Sequence, residues 1–152
     1  MKTDLQKILF ISGEHGLFSF VSQARNGIVA ESLLTKKRSL FRENAKVSSL
    51  SDISIYTQEA EITMRDVLLK MKEVLGEDDA PDSKSDEKTL EKFFRTVIPD
   101  YDSERFYPSH MKKVVQWYNI LKQHASLDFE EVKNEEEEET EKAEGKQEEK
   151  QE

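Results

Sequence analysis

Gly13 and Gly16 open the one stretch of this sequence that resembles a ligand motif, ISGEHGLFSFVSQARNGIVAESLL over residues 11–34. A glycine-rich phosphate grip needs a set spacing. A dinucleotide site takes three glycines between a strand and a helix, and a P-loop ends in Gly-Lys-Ser/Thr. Here the glycines are followed by β-type residues, so no helix N-terminus stands behind them to bind an anion. They are expected to be the corners of a turn.

Three histidines, His15, His110 and His124, fall on different elements. General acid–base work requires a carboxylate or nucleophile within hydrogen-bond reach, and no spacing supplies one. Nothing like His-Glu-x-x-His occurs. The acidic cluster Glu77, Asp78, Asp79 and Asp82 lacks the ordered alternation and glycine of an EF-hand loop. No motif asks for a catalytic residue, a metal or a cofactor. An enzyme would need Asp100, Asp102, Arg105 and His110 to converge in a deep pocket, and this is the weakest expectation.

Binding is better provided for. PDYDSERFYPSHMKKVVQWY, residues 99–118, is the densest mixture of aromatic and charged residues. Tyr101, Arg105, Phe106, Tyr107 and Trp117 are the candidate partner-binding set, since Tyr, Trp and Arg are enriched at interface hot spots. The competing structural reading is that these side chains lock the bridge before the last helix onto that helix. A second candidate is the basic group Lys36, Lys37, Arg38 and Arg42, with Lys46 nearby, which suits nucleic acid on a small β domain. Lysines in a turn also serve simply to keep an edge strand soluble.

The whole chain of 152 residues carries a net charge of −9, which argues against non-specific nucleic-acid or membrane binding by the molecule at large. Much of that charge lies in residues 130–152, where Val132 and Ala143 are the only clearly apolar residues. Such a segment cannot bury enough surface to offset its ordering entropy, so a disordered acidic tail is expected. With no cysteine, disulfides, thiol catalysis and zinc–thiolate sites are excluded, which fits a reducing compartment. The N-terminal apolar run is too short for a signal sequence and no window reaches the length of a membrane span. The expected location is the cytoplasm.

Two periodicities meet near Thr57. Before it, Gly16 to Gln23 alternates with period two, and Asn26-Gly27 separates this run from Ile28 to Leu33, which is a hairpin pattern of the type I′ kind. Further short strands are expected at Arg38–Phe41 and Asp52–Tyr56, with Leu5 to Ile11 either a helical turn or a strand. Strands this short and this closely connected suggest a small SH3-like antiparallel barrel. Its core would draw on Leu17, Phe18, Phe20, Val21, Ile28, Val29, Leu33, Phe41 and Ile53.

After Thr57 the spacing is helical. Thr63 caps a helix that ends at Gly76, Ser85 or Asp86 caps a second that stops before Pro99, and Ser109 caps a third. The expected class is α+β, with a barrel over 1–57, a helical domain over 58–129 with a linker near 76–85, and the tail over 130–152.

Several segments together, ISGEHGLFSFVSQARNGIVAESL, KRSLF, DISIYT, KSDEKTLEKFF and PDYDSERFYPSHMKKVVQWYNILK, resemble an uncharacterised family of small Bacteroidetes proteins described only as a domain of unknown function. The likeness runs from about Leu5 to Phe129. It implies an SH3-like N-terminal domain and a helical C-terminal domain, and implies no chemistry. Members usually carry Lys-Pro where this chain has Glu14-His15. The function expected from these readings is a non-enzymatic cytoplasmic adaptor whose partner is another protein. The alternative is a nucleic-acid-binding module whose acidic tail competes for its basic patch.

Overall fold

The computed structural model describes residues 2–129. Seven strands and three helices follow in chain order: β1 (Ile8–Ile11), β2 (Phe18–Ala24), β3 (Gly27–Ser32), β4 (Arg38–Arg42), β5 (Val47–Ser49), β6 (Ser54–Tyr56), β7 (Glu61–Thr63), α1 (Met64–Leu75), α2 (Glu87–Val97) and α3 (Pro108–His124). The first five form one antiparallel sheet in the order β4-β3-β2-β1-β5, and β6 pairs with β7 in a separate ribbon. The chain is therefore α+β. The acidic residues 130–152 lie outside the described residues. No helix among the described residues is long and apolar enough to cross a membrane.

The β2–β3 hairpin forms where the alternation places it, but with a different turn. Ala24 pairs with Gly27, leaving Arg25 and Asn26 as the loop. Neither has positive φ, so the expected type I′ geometry is not used. Gly27 is needed for clearance instead: a Cβ there would sit 1.9 Å from the Phe41 carbonyl oxygen on β4. In the β1–β2 turn, Gly13 (φ 86°) and Gly16 (φ 83°) take left-handed backbone and lead into a strand. They are corners of a turn, as the missing helix implied.

The sheet is strongly curled but does not close into a barrel. At about 4.8 Å per strand, a flat sheet would hold β4 and β5 some 19 Å apart. Five residue steps from Arg42 to Val47 reach at most about 18 Å, and the Ala45 N–H folds back on the Arg42 carbonyl within them. The sheet must bend to make that connection. A bulge at Val21, between the pairs Phe20–Ala30 and Ser22–Val29, bends β2. β4 and β5 nonetheless remain the two edges, with no ladder between them. β5 is only three residues long and pairs with β1 on one side alone.

Curling gives the sheet two buried faces. Inside the curl, Leu9, Ile11, Phe18 and Ala30 cluster with Phe20, Ile28, Phe41 and Val47, and the Phe18 and Phe41 rings meet edge-on at 5.2 Å. On the outer face, Ile8, Leu17 and Leu33 join the helices in the larger core. β1 is buried on both sides, so its sequence ILFI is a continuous apolar run without alternation. Of the expected core residues, Leu17, Leu33 and Ile53 belong to the larger core and Phe18, Phe20, Ile28 and Phe41 to the smaller. Val21 and Val29 are only half-buried.

The helices start and stop for local reasons. Thr63 Oγ1 accepts from the Asp66 N–H at the head of α1, which ends at Gly76. Asp86 Oδ1 accepts from the Thr89 N–H at 2.8 Å to cap α2. α3 begins one residue before the expected Ser109 cap. Pro108 takes the first helical position, where its missing N–H costs nothing, and the Tyr107 N–H donates to His110 Nδ1 at 3.1 Å. Met64, Val67, Leu68 and Met71 of α1, Leu90, Phe94 and Val97 of α2, and seven residues of α3 turn into the common core.

That core does not stop at residue 57. Leu5, Ile8, Leu17 and Leu33 pack in the same cluster as Phe94, Tyr118 and Phe129. The ends of the described chain are stitched as well. The buried Thr3 donates its N–H to the Asp128 carbonyl at 2.7 Å, its hydroxyl to the Ser126 carbonyl at 2.9 Å, and bridges to Phe129.

Candidate functional site

Where the sheet meets the start of α3, the surface opens into a groove of about 350 Å³. On α3, the residues His110, Lys113, Val114 and Trp117 line it, spaced i, i+3, i+4, i+7 along one helical face. Phe10 of β1 and Ile55 and Tyr56 of β6 face them, Met64 at the head of α1 closes one side, and Arg105 and Phe106 come from the bridge before α3. The bridge is held against the β6 end by backbone bonds: the Asp102 N–H donates to the Tyr56 carbonyl, and the Gln58 N–H to the Asp100 carbonyl.

The floor is apolar. Ile55, Met64, Phe106, Val114 and Trp117 are buried, and the Phe10 ring packs on Trp117 at 5.4 Å. The mouth is cationic. Arg105 stacks its guanidinium 4.6 Å above the Tyr56 ring and pairs with Asp102 at 3.1 Å. Lys113 lays its ammonium 5.1 Å from the Phe10 ring. Because His110 Nδ1 accepts from the Tyr107 N–H, a neutral His110 ring carries its proton on Nε2, available as a donor.

The structure divides the expected partner-binding set. Arg105, Phe106 and Trp117 come together at the groove. Tyr101 does not: it is buried, with Phe106 edge-on at 5.5 Å and the Arg95 guanidinium 3.9 Å over its ring. Tyr107 is 51 % exposed and outside the groove lining. Tyr101 and Phe106 thus pack the bridge against α2 through Arg95 and Phe94, while one face of the assembly stays open. Among the residues missed at the sequence level are Phe10, Ile55, Tyr56, Met64 and Lys113. The α3 stripe was readable from its spacing, whereas Phe10 reaches the groove only through the register of β1.

Lys36, Lys37, Arg38 and Arg42 are all exposed, on the turn before β4 and on β4 itself. Arg38 pairs with Glu31 on the neighbouring strand at 3.3 Å. Arg42 shares the outward side of this edge strand with Leu40, which is 52 % exposed. Of the four residues weighed as an active site, Arg105 and His110 line the groove and Asp102 pairs with Arg105, while Asp100 is exposed outside the lining. Asp102 is taken up by Arg105 and by the Glu104 N–H, and His110 by the Tyr107 N–H. In the acidic cluster, Asp79 pairs with Lys122 at 2.8 Å and Asp82 accepts from the Lys84 N–H. Among the described residues, no three histidine or carboxylate side chains gather where they could hold a metal ion.

Two family models match the chain, both described as domains of unknown function: DUF5606 over residues 5–50 and DUF6852 over residues 53–121. The groove lies on the seam between them, with Phe10 from the first region and its other named residues from the second. No curated protein shows a significant match. A solution NMR structure of a Bacteroides vulgatus protein, a structural-genomics target, is similar at 30 % identity with a TM-score of 0.67, over 86 % of this chain and 99 % of that one. The chain thus belongs to an uncharacterised Bacteroidetes family.

Proposed function

We propose that the protein is a non-enzymatic cytoplasmic interaction protein and that the seam groove is where a partner protein docks. One observation carries this reading: an apolar floor left open beneath a cationic mouth, built from both matched regions. Clefts between structural units are favoured positions for binding sites. A large apolar side chain entering the groove gains burial against Trp117 and Phe106, while the exposed cations fix its approach. The curled five-stranded unit is, in this reading, an opened SH3-like sheet serving as one wall.

The test is affinity capture with full-length bait, comparing wild type with the Arg105→Glu, Lys113→Glu double variant. A partner held by wild type and lost by the folded variant supports the groove. An identical captured set from both baits overturns it.

A second reading rests on the exposed edge strand, where Lys36, Lys37 and Arg42 have no carboxylate partner within ion-pair distance among the described residues. It makes β4 a nucleic-acid contact, with the acidic residues 130–152 competing for it. Binding to single-stranded DNA that weakens steeply with salt would favour it. Absence of binding at low salt, with Glu135 to Glu139 changed to Gln, would remove it.

A further inference from the structure

We infer that the partner segment taken by the seam groove is acidic: one large apolar side chain bordered by carboxylates. This rests on the docking function proposed above and specifies its ligand. The chain as a whole is strongly negative, at −9, yet no carboxylate lines the groove, whereas Arg105, His110 and Lys113 do. The mouth therefore has the charge opposite to that of the molecule. Arg105 is partly neutralised by Asp102. Lys113 has no carboxylate within ion-pair distance among the described residues and is steadied only by the Phe10 ring. An ammonium over a ring face keeps its outward hydrogens free to donate. His110 adds an Nε2 donor on the same helical face.

The size of the cavity fits the other half of the motif. About 350 Å³ is near the lower end for ligand pockets, room for one bulky side chain rather than an extended ligand. Its floor offers the ring of Trp117 and the apolar Ile55, Met64 and Val114 and no charged group. A basic segment would meet like charge at the mouth. A purely apolar one would leave Lys113 and His110 without partners.

Trp117 is the only tryptophan in the chain, so its fluorescence reports occupancy of the groove directly. The probes are four acetylated, amidated pentapeptides. Three have a central Phe bordered on each side by two Glu, two Gln or two Lys, and the fourth has a central Ala bordered by Glu. The expected result is a Trp117 emission change for the Glu-bordered Phe peptide, with at least about fivefold tighter binding than its Gln counterpart and none for the Lys peptide. Raising the salt to about 0.5 M should erase that difference. The Arg105→Glu, Lys113→Glu variant should lose it, and Arg105→Lys, Lys113→Arg should keep most of it.

Equal binding by all three Phe peptides overturns the acidic specification and leaves the docking groove intact. Equal binding by the Ala peptide, or no Trp117 response to any peptide, overturns the groove as well. Two further results assign another occupant and overturn the proposal. A Trp117 shift in peptide-free protein when Glu135 to Glu139 are changed to Gln would mean the chain's own acidic segment fills the groove. A shift on dilution would mean a second copy does.

Discussion

Asn119 of α3 grips Ala80 by both backbone groups: the Ala80 N–H donates to Asn119 Oδ1 at 2.8 Å, and Asn119 Nδ2 donates to the Ala80 carbonyl at 3.2 Å. The segment between α1 and α2, polar enough to suggest a free linker, is tied down at this point, with Ala80 buried beside it. Lys122, one turn further along α3, holds Asp79 and the Glu77 carbonyl in the same way. Asn119→Ala strands a donor and an acceptor at once and is expected to cost about 2 kcal/mol. Denaturant unfolding measures it, and hydrogen exchange should show the Ala80 amide losing protection.

Gly27 sits under the Phe41 carbonyl with no room for a side chain. Gly27→Ala must push β3 and β4 apart at the hairpin end. The cost expected is about 3 kcal/mol, at the upper end for overpacking. Asn26→Ala, by contrast, touches a residue whose φ is ordinary, so thermal melts should show it far milder. A hairpin that really needed type I′ geometry would make Asn26→Ala costly as well.

Tyr118 is fully buried and its hydroxyl has no hydrogen-bond partner among the described residues. Tyr118→Phe is therefore expected to leave stability unchanged or raise it by up to about 1 kcal/mol, while Tyr118→Ala should cost about 3–5 kcal/mol through the cavity it opens. Burial, and secondarily the charge of Asp79, raises the Tyr118 phenol above its ordinary value. A raised folded pKa means its contribution is complete below about pH 10 and is lost as pH rises toward the folded value. In an alkaline absorbance titration Tyr118 should ionise above the ordinary tyrosine range, and Tyr118→Phe should delete that step.

Hydrogen bonds from the Thr89 side chain and then its backbone N–H hold the Asp86 carboxyl below its usual range. A lowered folded pKa stabilises α2 above about pH 4 and loses that contribution as pH falls through the folded value. Melting curves of wild type and Asp86→Ala should separate at neutral pH and converge toward pH 2. Asp86→Asn keeps a capping oxygen and should show less of this pH dependence.

The helical half was legible because its determinants are local. Thr63 and Asp86 cap where side-chain oxygens precede apolar stripes, and Gly76 and Pro99 end what they begin. Tyr107 escaped because a histidine three residues on reaches back to cap its N–H, a device that residue type alone does not announce. β5 (VSS) and β7 (EIT) escaped because each holds a single apolar residue, which leaves a period of two nothing to repeat. The mixture of aromatic and charged residues marked the bridge before α3 as a candidate binding surface. It did not tell which of its rings would be buried.

Sequence alone determined the elements whose causes lie within a few residues: the β2–β3 hairpin, the caps, the apolar faces of the helices, and the acidic run at the C-terminal end. Tertiary structure decided how far the sheet closes, because that depends on the β2 bulge and on which edge β5 chooses. It also decided that Leu5, Ile8, Leu17 and Leu33 share a core with the helices. The groove belongs to this second kind. Phe10 and Trp117 stand 107 positions apart in the chain and meet at 5.4 Å, and no local rule of spacing links a strand register to a helical stripe.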